Sequence, residues 1–270
     1  MKKPARLAAT LAAALALSLP LYAHARSPWL MPSVTVLSGN GAWVTFDGSM
    51  GDDTFYPDHA LHLDGLAIQA PDGSAAQAEN GSEGKLRSTF DVNVRQPGTY
   101  RIAIADDTVF ARWQENGQRK RYFGKADGLA GAVPAKAEDL HISQNLNRAE
   151  TFVTLGKPSM PRDDVKQGLS LVPVTHPNDL YAGDTATFRF MLDGKPAANL
   201  DVEVIASGSR YRDQPGGTPL KTGADGSFKV TWPAPGMYLV HAQAEDKSTS
   251  VPRAEMRRMS YGATLEVLPQ

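Results

Sequence analysis

Ala224-Asp225-Gly226-Ser227-Phe228-Lys229-Val230-Thr231-Trp232-Pro233-Ala234-Pro235-Gly236-Met237-Tyr238-Leu239-Val240 decides the fold. An Asp-Gly turn opens it, and a short strand follows in which apolar and polar residues alternate. Pro-Gly then reverses the chain tightly, and a tyrosine opens the next strand with its ring available to a core. The same order stands earlier in the chain. Ala70-Pro71-Asp72-Gly73 is a turn, Asp91-Val92-Asn93-Val94 closes a strand, and Gln96-Pro97-Gly98-Thr99-Tyr100-Arg101-Ile102 repeats the reversal.

Immunoglobulin-like sandwiches turn their corners in this way. Gly and Pro, 24 and 19 of 270 residues, separate short runs rich in Val, Thr, Phe, Tyr and Ile throughout. The expected fold is all-β: two tandem immunoglobulin-like β-sandwich domains with an irregular insertion. The expected strands include 34–37, 43–47, 61–70, 86–94, 100–105, 150–155, 185–192, 201–206, 227–232, 238–244 and 263–268. Asp127–Leu140, interrupted by Pro134, reads as a loop with a short helix. Gly156–Leu169 has no apolar periodicity, which places an N-terminal domain at 26–160 and a C-terminal one at 161–270.

Residues 1–25 have the layout of a signal peptide. Lys2, Lys3 and Arg6 precede an apolar run, Leu7 to Leu21, and Ala23-His24-Ala25 offers a cleavage site. A periplasmic protein is expected, with no direct membrane insertion after cleavage. Cysteine is absent, which excludes disulfides, a thiolate nucleophile and thiolate metal ligands. The formal net charge of −1 gives no field for nucleic acid. Gly-x-Ser-x-Gly, a phosphate-binding Gly loop and His-Glu-x-x-His are all missing, so no enzyme is expected.

The six histidines are the softest ligands present. His59 and His62 lie in Phe55-Tyr56-Pro57-Asp58-His59-Ala60-Leu61-His62, with Asp58 adjacent. Imidazole plus carboxylate suits divalent Ni, Co, Cu or Zn. The competing reading makes His59 a hydrogen-bonded rim residue and His62 a solvated strand residue. His176, in Thr175-His176-Pro177-Asn178-Asp179, is either a ligand at a domain junction or a turn-stabilising side chain. His24 could chelate through its α-amine and imidazole if cleavage followed Ala23, and cleavage after Ala25 would remove it. His241 reads as structural, and Arg119-Lys120-Arg121-Tyr122-Phe123 as a solvated hairpin.

Several stretches together resemble a known family: Pro28-Trp29-Leu30-Met31-Pro32-Ser33, Phe55-Tyr56 with His59 and Leu63-Asp64-Gly65-Leu66, Glu150-Thr151-Phe152-Val153-Thr154, and Leu169 through Leu180 with His176. Its members are exported proteins with a domain of unknown function, described as periplasmic components of nickel or cobalt uptake. The resemblance implies a periplasmic β-sandwich that binds a divalent transition metal, nickel or cobalt before copper or zinc, beside a membrane transporter component. It implies roles for His59 and His176, with Asp58 or His24 completing the site. The alternative is a non-catalytic module that binds a protein or glycan through its loops.

Overall fold

The computed structural model describes residues 27–212 and 216–270. In chain order the strands are β1 (Ser27–Pro32), β2 (Val36–Leu37), β3 (Ala42–Gly51), β4 (His59–Ala60), β5 (Leu66–Gln69), β6 (Ala75–Ala76), β7 (Ala78–Glu83), β8 (Ser88–Val94), β9 (Gly98–Glu115), β10 (Gln118–Gly124) and β11 (Glu138–Leu155). After an irregular strap come β12 (Leu169–Pro173), β13 (Thr185–Leu192), β14 (Lys195–Pro196), β15 (Asp201–Ala206), β16 (Thr218–Lys221), β17 (Ser227–Thr231), β18 (Gly236–Asp246) and β19 (Met256–Val267). One short helix, α1 (Leu129–Ala132), sits between β10 and β11. Among the described residues no helix is long and apolar enough to cross a membrane.

The strands form two immunoglobulin-like sandwiches that share a sheet. A ten-stranded sheet runs β16-β15-β18-β19-β11-β9-β5-β6, with β10 beside β9 and β2 beside β11. A five-stranded sheet built on β1, β3, β8 and β7 covers one half of it, and a four-stranded sheet built on β12, β13 and β17 covers the other. The halves meet where β11 and β19 pair in parallel, from Ser143 opposite Met256 to Thr151 opposite Thr264. One core gathers Phe46, Phe90, Tyr100 and Ile102, and the other gathers Phe188, Phe190, Trp232 and Tyr238.

The repeated motif behaves alike in both halves. Asp72 Oδ1 accepts from the backbone N–H and hydroxyl of Ser74, and Asp225 Oδ1 does the same with Ser227. Gly98 and Gly236 follow their prolines at φ +126° and +143°, a conformation that side chains resist. Tyr100 and Tyr238 are both buried. The Tyr100 hydroxyl accepts from the Gln96 N–H at 2.9 Å, while the Tyr238 hydroxyl donates to the Ala234 carbonyl at 2.8 Å.

β9 and β11 are each 18 residues long, three times the runs expected at 100–105 and 150–155. Their outer parts pass the end of the five-stranded sheet and build a third apolar cluster with Val109, Trp113, Leu129, Val133, Ile142 and Val251. The segment around α1 closes this cluster, as a loop with a short helix. The stretch expected as one strand over 61–70 divides into a 3₁₀ turn at Leu63–Gly65 and β5.

Candidate functional site: a polar cleft at the seam

Where the covering sheet stops and the shared sheet runs on, a cleft of about 1070 Å³ opens. Its floor is one face of four adjacent strands, and cross-strand register arranges it in two rows. Asp106, Asn147, Ser260 and Gln243 face one another across β9, β11, β19 and β18. Thr108, Asn145, Arg258 and Glu245 form the second row, two residues along each strand. Side chains two apart share a face, and all eight line the cleft.

Partners fix part of this floor. Asn147 Nδ2 donates to Asp106 Oδ1 at 3.0 Å. Burial raises the Asp106 pKa, an effect opposed by the Asn147 hydrogen bond and the Lys125 charge. Arg258 faces Glu245 at 3.9 Å with both side chains exposed. The amides of Asn145 and Gln243 have no hydrogen-bond partner among the described residues and face the cleft. His241, two residues before Gln243 on β18, is buried. Its Nε2 lies 3.3 Å from Ser260 Oγ, and burial pushes its pKa down to about 4. The ring is therefore neutral and structural, as the sequence suggests.

The walls come from both ends of the N-terminal half. On one side stand β1 and β4, in register through β3: Pro28 is opposite Met50, and Met50 is opposite His59. All three line the cleft. β1 crosses β19 so closely that a Cβ on Gly262 would collide with the Pro28 carbonyl oxygen. Gly262 is what lets β1 lie on the shared sheet. On the other side is the β9–β10 hairpin, in which Lys125 pairs with Asp64 at 3.2 Å and Phe123 stands 67% exposed on the rim. The hairpin is the one anticipated from Arg119-Lys120-Arg121-Tyr122-Phe123.

The expected metal ligands separate. His59 is on the cleft wall, and His62 beside it pairs with Glu83 at 3.1 Å. Asp58 precedes β4, its backbone N–H bonded to the Met50 carbonyl. His24 lies outside the described residues. His176 is elsewhere. The Asn178 N–H donates to its Nδ1 at 3.2 Å, so Nε2 carries the hydrogen of the neutral ring. That N–H faces Thr99 Oγ1 at 2.9 Å and the Ser159 carbonyl at 3.1 Å. Desolvation by burial lowers the His176 pKa, which keeps the ring in that state. Both nitrogens are used, and the ring fastens the strap to β9. Thr99 and the cleft residue Thr108 are nine residues apart on β9, about 30 Å of strand. His59 thus lines the cleft, while His176 is fastened at the start of β9 against Thr99 and Ser159. Among the described residues no three His, Asp or Glu side chains gather as a metal-holding group.

One family profile, a domain of unknown function, matches residues 23–246. The chain belongs to that family, DUF4198. The DUF4198 match spans β1 to the end of β18, so it includes three of the four strands that floor the cleft. No curated protein sequence matches the chain. Among solved structures the chain is similar to the D00–D0 domain of intimin, at 13% identity and TM-score 0.21 over 90% of this chain and 100% of that one. It is also similar to the chicken CNTN1 FN1–FN3 domains, at 9% identity and TM-score 0.23 over 89% and 98%. A marsupial T cell receptor matches at 10% identity and TM-score 0.21 over 91% and 74%. These superpositions carry no argument about function.

Proposed function

We propose that this DUF4198 protein is an exported, non-catalytic binding module of the periplasm whose ligand, a glycan, lies in the seam cleft. The two-row polar floor carries this reading. Four neighbouring strands present amides, hydroxyls and charges side by side to a solvent-open cleft. Asn145, Asn147 and Gln243 each offer a donor beside an acceptor, which suits neighbouring hydroxyls on a sugar ring. Phe123 on the rim supplies an apolar plate for the ring's C–H face, in the way of small-ligand sites that combine aromatic walls with a few polar groups. Asp106 and Glu245 in the floor disfavour a polyphosphate.

The test is a glycan array probed with the mature protein, followed by titration of any hit against Phe123→Ala and Asn145→Ala. Binding that weakens at least tenfold in Phe123→Ala supports the reading. An array without a hit, or equal affinity in both variants, removes it.

A second reading, binding of a divalent transition metal and delivery to a transporter, draws on one observation. The Pro28–Met50–His59 register brings the start of β1 within two strand spacings of His59, about 10 Å. His24 is only three residues before Ser27, a reach of about 10 Å. A mature chain beginning at His24 could join His59, with Asp58 near, as ligands for nickel or cobalt, or for copper or zinc. Titration with each ion, in wild type and His59→Ala, tests it. Affinity should fall as pH drops through about 6.5, where imidazole protonates. No binding tighter than roughly 100 μM, about −5.5 kcal/mol, sets the metal reading aside.

A further inference from the structure

A second cavity, apart from the cleft, lies between the strap 156–168 and the opposite face of the shared sheet. Its volume is about 330 Å³. The floor is the small cross-strand pair Ala67 and Ala103. Arg101 and Arg148 rise from the sheet beside it, and the strap supplies Arg162, Asp164 and Lys166 from above.

The charges here are unequal. Arg101 is saturated: it grips Glu150 with two bonds of 3.0 Å and also donates to Asp163, to the Arg162 carbonyl and to the Leu171 carbonyl. Arg148 reaches Glu150 through Nε at 2.9 Å, and among the described residues neither of its terminal nitrogens has an acceptor. Arg162 and Lys166 have no carboxylate within ion-pair reach among the described residues. Asp164, the one acid in the lining, accepts from Gln69. Against four lining cations stand Asp164 in the lining and Glu150 and Asp163 behind it, which leaves one positive charge in excess.

The strap cannot drift from this place. Ser159 is tied to Thr99, and Asp163 to Ser170 at 2.9 Å as well as to Arg101. The cationic groups are therefore held over an open, small-residue floor, in a cavity at the lower end of ligand-pocket size.

We propose that this cavity is a binding site for a compact oxyanion, a phosphate or carboxylate group, held by the terminal nitrogens of Arg148, by Arg162 and by Lys166. Planar guanidinium groups pair with such oxygens in forked geometry, and the ammonium adds a mobile third contact.

Thermal melting of the mature chain in sodium phosphate, sodium succinate and sodium chloride at equal ionic strength tests the site. With 10 mM ligand and a Kd of about 0.1 mM, the melting temperature should rise by about 5 °C over chloride. A rise in phosphate assigns a phosphate, and a rise in succinate a carboxylate. The double variant Arg162→Gln, Lys166→Gln should lose the rise, and Lys157→Gln, an exposed strap residue outside the cavity, should keep it. Equal melting in all three salts overturns the proposal, as does a rise that survives in the double variant.

Discussion

Two polar regions lie on opposite faces of the same long strands, and they differ in whether the protein uses its own polar groups. On one face, Glu150 is fully buried, and every oxygen is claimed by Arg101, by Arg148 and by the hydroxyl of Tyr261. Burial alone would raise its pKa, but the two guanidinium charges overcome that and lower it. The His176 junction at the foot of β9 is closed in the same sense. On the other face, the cleft floor keeps amides unspent. A satisfied polar network stitches a fold together, and an unsatisfied but solvent-open one is available to a ligand. Changes in the first region should therefore cost stability, and changes in the second should cost binding.

The largest effect should follow Arg101→Met. It leaves Glu150 buried with Arg148 as its one remaining ion-pair partner and the Tyr261 hydroxyl beside it, and breaking a buried pair in this way costs about 3–5 kcal/mol. Denaturant unfolding would measure it. A loss below about 1 kcal/mol would mean that the network is not what joins the halves. Because β11 and β19 pair across the seam, the same experiment on wild type should show one cooperative transition. Two separate transitions would show the expected domains 26–160 and 161–270 unfolding independently.

Acid comes next. His241 takes a proton at about pH 6.5 when unfolded but only at about 4 when folded. The unfolded chain binds the extra proton between those values, so the stability present above pH 6.5 is lost as pH falls towards 4. The loss is about 3 kcal/mol. In His241→Gln this part of the slope should vanish, and an unchanged slope would place the titrating group elsewhere.

His176→Ala removes the contacts to Asn178, Ser159 and Thr99. It should cost about 1–3 kcal/mol and leave ligand and metal binding alone. A variant as stable as wild type that loses metal would reverse the assignment of this ring. Smallest in stability is Phe123→Ala. An exposed rim residue should shift stability by no more than about 0.5 kcal/mol, while glycan affinity falls at least tenfold.

Much of the sandwich was legible because its strands bury one face each. Thr185 to Leu192 alternates cleanly and forms β13 with those bounds. The Asp-Gly and Pro-Gly-x-Tyr repeats mark corners whose φ angles and hydrogen bonds are set locally. The outer parts of β9 and β11 were not legible. Asp106-Asp107 and Asn145-Leu146-Asn147 break the apolar alternation because one face of each is the cleft floor. Those polar interruptions were the signal for the site, and only the register across four strands turns them into rows. The two histidines show the other limit. His59 and His176 both sit next to proline and aspartate in sequence, yet the atoms that occupy His176 come from Thr99 and Ser159, remote in the chain. His24 falls outside the described residues.

The most direct test is backbone amide chemical-shift mapping by NMR during titration with an oligosaccharide identified on the array. The account predicts the largest shifts at Asp106, Thr108, Asn145, Asn147, Gln243 and Ser260, with Phe123 on the rim, and none at Thr99, Ser159 or His176. Shifts centred on the strap, or on the outer faces of the covering sheets, with the floor unmoved, would contradict it.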